Sequence, residues 1–336
     1  MQTRRFVQLA VAFLVPLLAL VACSKDRPLP VAVRAIAPTT SPAMPLTSDD
    51  EPIVSSTLQQ INAKLDNLGA SYRVTKAELV TMIGSNQPGI TLIDDDRQRV
   101  STSDWVPADA RRHADGTKIR YLVDPTRPPN GVSAANGEAA IDRAMATWNS
   151  AAGVNIPIEK TAYNGTDPSV ADGLFGFGTI GTPFQADIVH AGWMPPEFFD
   201  AIFFGGSQFI LGVTFTFTLQ DPATGNDING DHRIDVGFRE TYYNNHFAWG
   251  INADPPTADV ETVALHESGH GLSLAHFGKI FIKNDPGSTQ KVDEDAPTIQ
   301  FAPFAVMNAT IFGQNHDLQG TDVSGMSTMW ANWPNR

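Results

Sequence analysis

The segment ADVETVALHESGHGLSLAH, residues 258–276, narrows what this 336-residue chain can fold into more than any other stretch. Asp259 and Glu261 open it with the acidic residues that the positive end of a helix dipole favours. His266 and His270 follow four residues apart, about one helical turn, so both imidazoles leave the same face and can share a metal ion. Glu267 stands beside them, placed to reach the outer side of a metal-polarised water without being a ligand, which is the position a general base needs. His276 lies six residues beyond His270, too far round for that helix face, but a sharp turn near residues 271–273 would return it as a third ligand. Three neutral imidazoles leave one tetrahedral position open, as in a catalytic zinc site, where Glu267 would take the proton of a water aimed at a carbonyl.

With 42% hydrophobic and 18% charged side chains, the chain is apolar enough to bury a sizeable core. Its net charge of -13, from 36 acidic against 23 basic residues, argues against nucleic acid as a partner, since phosphates are bound by neutralising them with Lys and Arg. The lone cysteine, Cys23, excludes an internal disulfide framework and any Cys-rich zinc site.

Arg4 and Arg5 precede an apolar run from Phe6 to Ala22, the layout of a secretory signal peptide over residues 1–22. A short membrane anchor is the competing reading, although a spanning helix needs about 20 apolar residues. Leu20-Val21-Ala22-Cys23 resembles the lipobox of bacterial lipoproteins, which implies that Cys23 is lipidated and becomes the mature N-terminus. Residues 23–52 then form a lipidated N-terminus and a tether, with Pro28, Pro30, Pro38, Pro42, Pro45 and Pro52 and no apolar periodicity. The expected location is therefore the bacterial cell envelope, on its periplasmic or cell-surface side, with the lipid as the link to the membrane.

Leu58, Ile61, Leu65 and Leu68 at helical spacing, followed by Gly69, predict a short amphipathic helix. Residues 53–112 otherwise carry no clear domain signal and read as an accessory or propeptide-like segment, or equally as an N-terminal extension of the main domain. That domain, residues 113–336, begins with a predicted strand at 118–123. A helix over 137–151 follows, with Ile141, Ala144, Met145 and Trp148 on one face. Further strands are predicted at 186–192, 209–218 and 234–242, before the histidine-bearing helix. This order points to an α+β or mixed α/β domain.

The sequence HESGHGLSLAH at 266–276 resembles the HExxHxxGxxH signature of the metzincin metalloproteases, and Phe304-Ala305-Val306-Met307-Asn308 is similar to the methionine turn beneath their metal. The helix at 141–148, Ala186-Asp187-Ile188-Val189, Trp249-Gly250 and the closing stretch 322–330 look like the matrixin branch. The resemblance implies a twisted mixed sheet with an early helix, a zinc-binding helix and a C-terminal helix, and a cleft between upper and lower subdomains. It implies a zinc endopeptidase acting on protein or peptide, with His266, His270 and His276 as ligands, Glu267 as general base and Met307 structural. Ser273 departs from the family's glycine at a turn whose backbone costs other residues energy. The turn is expected to be kept with some strain, and the glycines at 269 and 271 are expected to loosen the helix. Phe277 and the absence of a tyrosine in the methionine turn disfavour the astacin branch, and the lack of a cysteine beyond residue 23 rules out cysteine-switch latency.

Asp227, Asn229, Asp231 and Asp235 occupy positions 1, 3, 5 and 9 of a loop whose spacing resembles a calcium loop, with a solvated turn as the competing reading. A non-enzymatic envelope protein that keeps a metzincin-like domain for binding is the alternative function, and a zinc hydrolase acting on a non-peptide bond is a third.

Overall fold

The computed structural model describes residues 51–335 except 83–84, 86–87, 100–101, 113–115, 152 and 284–297, and no side chain at 279–283 or 298–302. The expected signal peptide, Cys23 and all but residues 51–52 of the expected tether lie outside the described residues. Among those residues no helix is long and apolar enough to cross a membrane.

The protein has a mixed α/β fold built on a ten-stranded mixed sheet with six helices among the described residues. In chain order, β1 (Ile53–Val54), α1 (Ser56–Asn67), β2 (Tyr72–Met82), β3 (Ile90–Ile93) and β4 (Ser103–Asp104) precede β5 (Ile119–Val123). Then come α2 (Ala134–Asn149), β6 (Ile158–Lys160), α3 (Ala171–Phe175), β7 (Ile188–Met194), α4 (Pro196–Ile202), β8 (Ile210–Leu219) and β9 (Ile234–Asn244). After the small pair β10 (Trp249–Gly250) and β11 (Ala258–Asp259) comes α5 (Val260–Gly271). The hairpin β12 (Lys279–Lys283) and β13 (Thr298–Ala302), then β14 (Thr310–Ile311) and α6 (Gly320–Trp330), complete the chain.

The sheet runs β1-β3-β2-β8-β9-β7-β5-β6, with β14 paired to β2 and β4 to β9. The pairs β9–β7, β7–β5 and β5–β6 are parallel, whereas β2 and β9 both flank β8 antiparallel. Residues 53–112 thus supply four strands to this sheet, β2 lying between β3 and β8. The sheet is covered on both faces. One core holds Trp148 of α2, Val263 of α5, Met307 and Trp330 of α6; the other joins Leu58 and Leu65 of α1 to Leu174, Phe198, Phe215 and Tyr242. Burial on both faces explains why every residue of β8 is buried and why its sequence is an unbroken run of Ile, Leu, Val, Phe and Thr apart from Gly212.

On the second face, Glu240 of β9 is wholly buried and accepts hydrogen bonds from the backbone N–H groups of Val170 and Ala171, at 2.7 and 2.8 Å, and from the Tyr242 hydroxyl at 2.8 Å. Burial outweighs these donors and pushes the carboxyl from its ordinary 4.5 up to about 8. The folded chain keeps this proton to a higher pH than the unfolded chain. The stability it contributes is therefore complete below about pH 4.5 and is lost as the pH rises through about 8. Thermal unfolding midpoints measured from pH 5 to 8 should fall more steeply in the parent than in Glu240→Gln. Equal slopes would remove Glu240 as the cause.

Candidate metal centre

Helix α5 is buried on every side, and its N-cap Asp259 accepts from the N–H of Thr262 at 2.9 Å. Its far end is held from three directions. The Trp105 indole and the Arg239 guanidinium donate to the Gly271 carbonyl at 3.0 and 2.9 Å, and the Trp330 indole donates to that of Leu272 at 2.7 Å, so carbonyls that end a helix without partners are satisfied. Beyond α5 the chain turns at Ser273, whose φ of 69° is the left-handed conformation expected to strain a residue bearing a side chain. Arg239 offsets that cost with a 3.0 Å hydrogen bond to the Ser273 hydroxyl.

The reversal brings His276 back beside His266 and His270, with ring centroids 5.3 and 4.8 Å away and one candidate ligand atom per residue all within 4.8 Å. His266 and His270 are fully buried and His276 is half-buried. Nδ1 of His266 donates to the Val306 carbonyl at 2.7 Å, and Nδ1 of His270 donates to the Leu274 carbonyl at 2.8 Å. A carbonyl can only accept, so both rings carry their proton on Nδ1 and a lone pair on Nε2. Burial, reinforced by His276, holds His266 down at about 3, and burial with its two neighbours holds His270 well below the ordinary histidine value, so both are neutral. Yet their Nε2 atoms face each other at 3.0 Å. Two lone pairs at that separation repel unless a cation lies between them. Metal–nitrogen bonds of about 2.0–2.1 Å at a tetrahedral angle set ligand nitrogens about 3.3 Å apart. The donor set fits such an ion: this is a buried three-histidine cluster that could hold a metal.

Glu267 is buried against the sheet. Its Oε2 accepts a 2.6 Å hydrogen bond from the Thr214 hydroxyl of β8, while Oε1 has no hydrogen-bond partner. Gly212 makes room for it, since a Cβ there would lie 2.7 Å from Oε1. Burial raises the Glu267 carboxyl well above the usual range, Thr214 opposes the shift and Glu78 of β2 adds to it. Glu78 also reaches to 3.4 Å from Nδ1 of His270.

The turn at 305–308 lies against the same cluster. Besides receiving His266 at Val306, it accepts the N–H of Phe277, next to His276, at the Met307 carbonyl at 2.7 Å. Asp322, at the start of α6, accepts from the N–H groups of Val306 and Met307 at 2.9 and 3.2 Å and so fixes the turn. Met307 itself is buried, its sulfur packed onto Gly269. The glycines of α5 do not loosen it: both keep helical backbone, and a Cβ at Gly271 would meet Ile188 at 3.0 Å. They are glycines because neighbours approach closely.

The 227–235 loop is organised by its own hydrogen bonds. Asp227 accepts from the N–H groups of Gly230, Asp231 and His232, Asp231 accepts from that of Arg233, and Asp235 pairs with Arg111 and accepts from Ile228. Asn229 sits 3.5 Å from the Asp231 N–H. Among the described residues these side chains do not form a group gathered for a cation, whereas the three histidines do. Thr214, Glu78, Arg239 and Asp322 had no signal as site residues in the sequence, because each acts from a distant element. Compared with known proteins, the chain matches no family profile and no curated protein sequence.

Proposed function

We propose that the protein is a zinc-dependent endopeptidase of the cell envelope, exported and lipid-anchored through Cys23, with a metzincin-like, matrixin-type domain. The convergence of two Nδ1-protonated, neutral histidines on a common point, with His276 beside them and an unpartnered Glu267 oxygen, carries this reading. Zinc, when bound, supplies the Lewis acidity that polarises a peptide carbonyl and the attacking water. His266, His270 and His276 would hold it. Glu267, oriented by Thr214, would take a proton from the attacking water and pass it to the departing amine. Val306 and Leu274 keep the two helix histidines in the tautomer that leaves Nε2 free to hold a metal. Calcium in the 227–235 loop remains part of the proposal only as an exchange against the hydrogen bonds described above.

Metal analysis of the purified chain tests the reading first: about one zinc per chain is expected, lost in His276→Ala. Hydrolysis of a quenched peptide set is then followed on the intact chain and after limited trypsin digestion, with and without a chelator. Chelator-sensitive cleavage by either form supports the proposal. One zinc per chain with no cleavage by either form would turn the reading towards a binding protein.

A further inference from the structure

The groups that would do the chemistry are closed off: His266, Glu267 and His270 each have 0% relative exposure. An endopeptidase must bring a peptide carbonyl to them, so the element that covers them matters. That element is β2. Its Glu78 and Val80 stand opposite Thr214 and Gly212 of β8, the two residues that hold and accommodate the Glu267 carboxylate. Along its other edge, Thr81 and Met82 pair in parallel with Thr310 and Ile311 of β14, just past the turn that receives His266. The N–H of Thr81 donates to the Ala309 carbonyl at 3.2 Å, and the hydroxyls of Thr81 and Thr310 lie 3.0 Å apart. One strand therefore fills the gap between the two elements flanking the site.

Neighbouring strands are spaced about 4.8 Å apart, so removing β2 would leave a slot of roughly 10 Å between β8 and β14, one extended chain wide. Free main-chain edges on both sides are what an extended peptide uses when it is bound as an added strand. Resting on the zinc-endopeptidase reading, we infer that residues 72–82 lie where an extended peptide substrate would lie, so that the full chain is a latent form. The segment is not loosely held. Val74, Ala77 and Leu79 are buried in the core beneath α1, so release by cutting is favoured over spontaneous opening. It belongs to a block, β1, β2 and β3, that precedes every other strand of the sheet in the chain and can leave as a unit without threading another strand. A place to cut is at hand in the short helical turn Asp96–Arg99, where the Arg97 side chain is 85% exposed.

The test uses the full chain loaded with cobalt in place of zinc, and a tripeptide hydroxamate whose binding is followed by the metal's visible absorption. The intact chain should bind the hydroxamate at least tenfold more slowly than chain cut at Arg97 or Arg99 and freed of the N-terminal fragment. A disulfide between Leu79→Cys and Val213→Cys, opposite each other on β2 and β8, should keep the cut chain closed until it is reduced. Equal binding by intact and cut chain overturns the inference. If the cut chain fails to stay folded, the disulfide decides within the intact chain: any hydroxamate binding there should be slowed at least tenfold, and ready binding at an equal rate with and without the disulfide overturns the inference. Peptide hydrolysis separates this from the underlying reading. Hydroxamate access gained without hydrolysis upholds the occlusion and removes the peptidase, whereas equal hydrolysis before and after cutting upholds the peptidase and removes the occlusion.

Discussion

Glu267→Gln is expected to lower peptide hydrolysis by about 10²–10⁴-fold, the usual contribution of a positioned general base, while zinc stays at one per chain. The substitution keeps the shape of the side chain. The amide oxygen can still accept from Thr214, whose hydroxyl is 2.6 Å from Oε2 and 2.8 Å from that of Thr241, so the local packing is preserved. What is lost is the ability to take a proton. Because Glu267 lies outside the three-histidine group, its replacement should not weaken metal binding. The comparison is made in whichever form of the chain cleaves, by kcat/KM alongside metal content. A variant that cleaves within a factor of a few of the parent removes Glu267 as the base, and one that loses its zinc makes it a ligand.

Gly269→Ala is expected to destabilise the fold by about 1–2 kcal/mol. Two effects oppose each other: alanine in a helix interior gains about 1 kcal/mol over glycine, and overpacking a filled core costs typically 1–3 kcal/mol. The second wins, because a Cβ at Gly269 would overlap the sulfur of buried Met307 and lie 2.9 Å from Cζ2 of Trp148, whose indole is itself tied to the Leu265 carbonyl at 2.7 Å. Both neighbours are buried in the same core. Urea unfolding should show the loss, and the same substitution made in Met307→Ala should cost less, since the nearer of the two obstructions has gone. A Gly269→Ala chain more stable than the parent would mean that Met307 does not pack on the helix as described.

Several elements were legible in chain order because their signals are local. The i, i+3, i+4 spacing of Leu58, Ile61 and Leu65 places them on the buried face of α1, and Ile141, Ala144, Met145 and Trp148 do the same in α2. Strand β2 was not legible, and the register explains why. A bulge between Val74 and Lys76 shifts the alternation, so the residues that join the core on the α1 side are Tyr72 and Val74 before it but Ala77 and Leu79 after it. Two charged residues, Lys76 and Glu78, also sit in the middle of the strand, Glu78 buried against His270. The glycines of α5 misled for a related reason: composition suggests loosened backbone, while the approach of Met307 and Ile188 is invisible until the helix is docked.

The metal centre divides along the same line. Residue type and the four-residue spacing were enough to put two imidazoles and a carboxylate on one short helix, since helical periodicity is a property of the local chain. The return of His276 needed a left-handed residue at 273 and an arginine on β9 to steady it. The tautomers needed carbonyls at 274 and 306, the carboxylate needed a hydroxyl at 214, and Glu78, which lies against His270, came from strand β2. These partners lie mostly tens to nearly two hundred residues from the groups they serve, so only the packing of helix, sheet and turn into one interior brings them within hydrogen-bond reach.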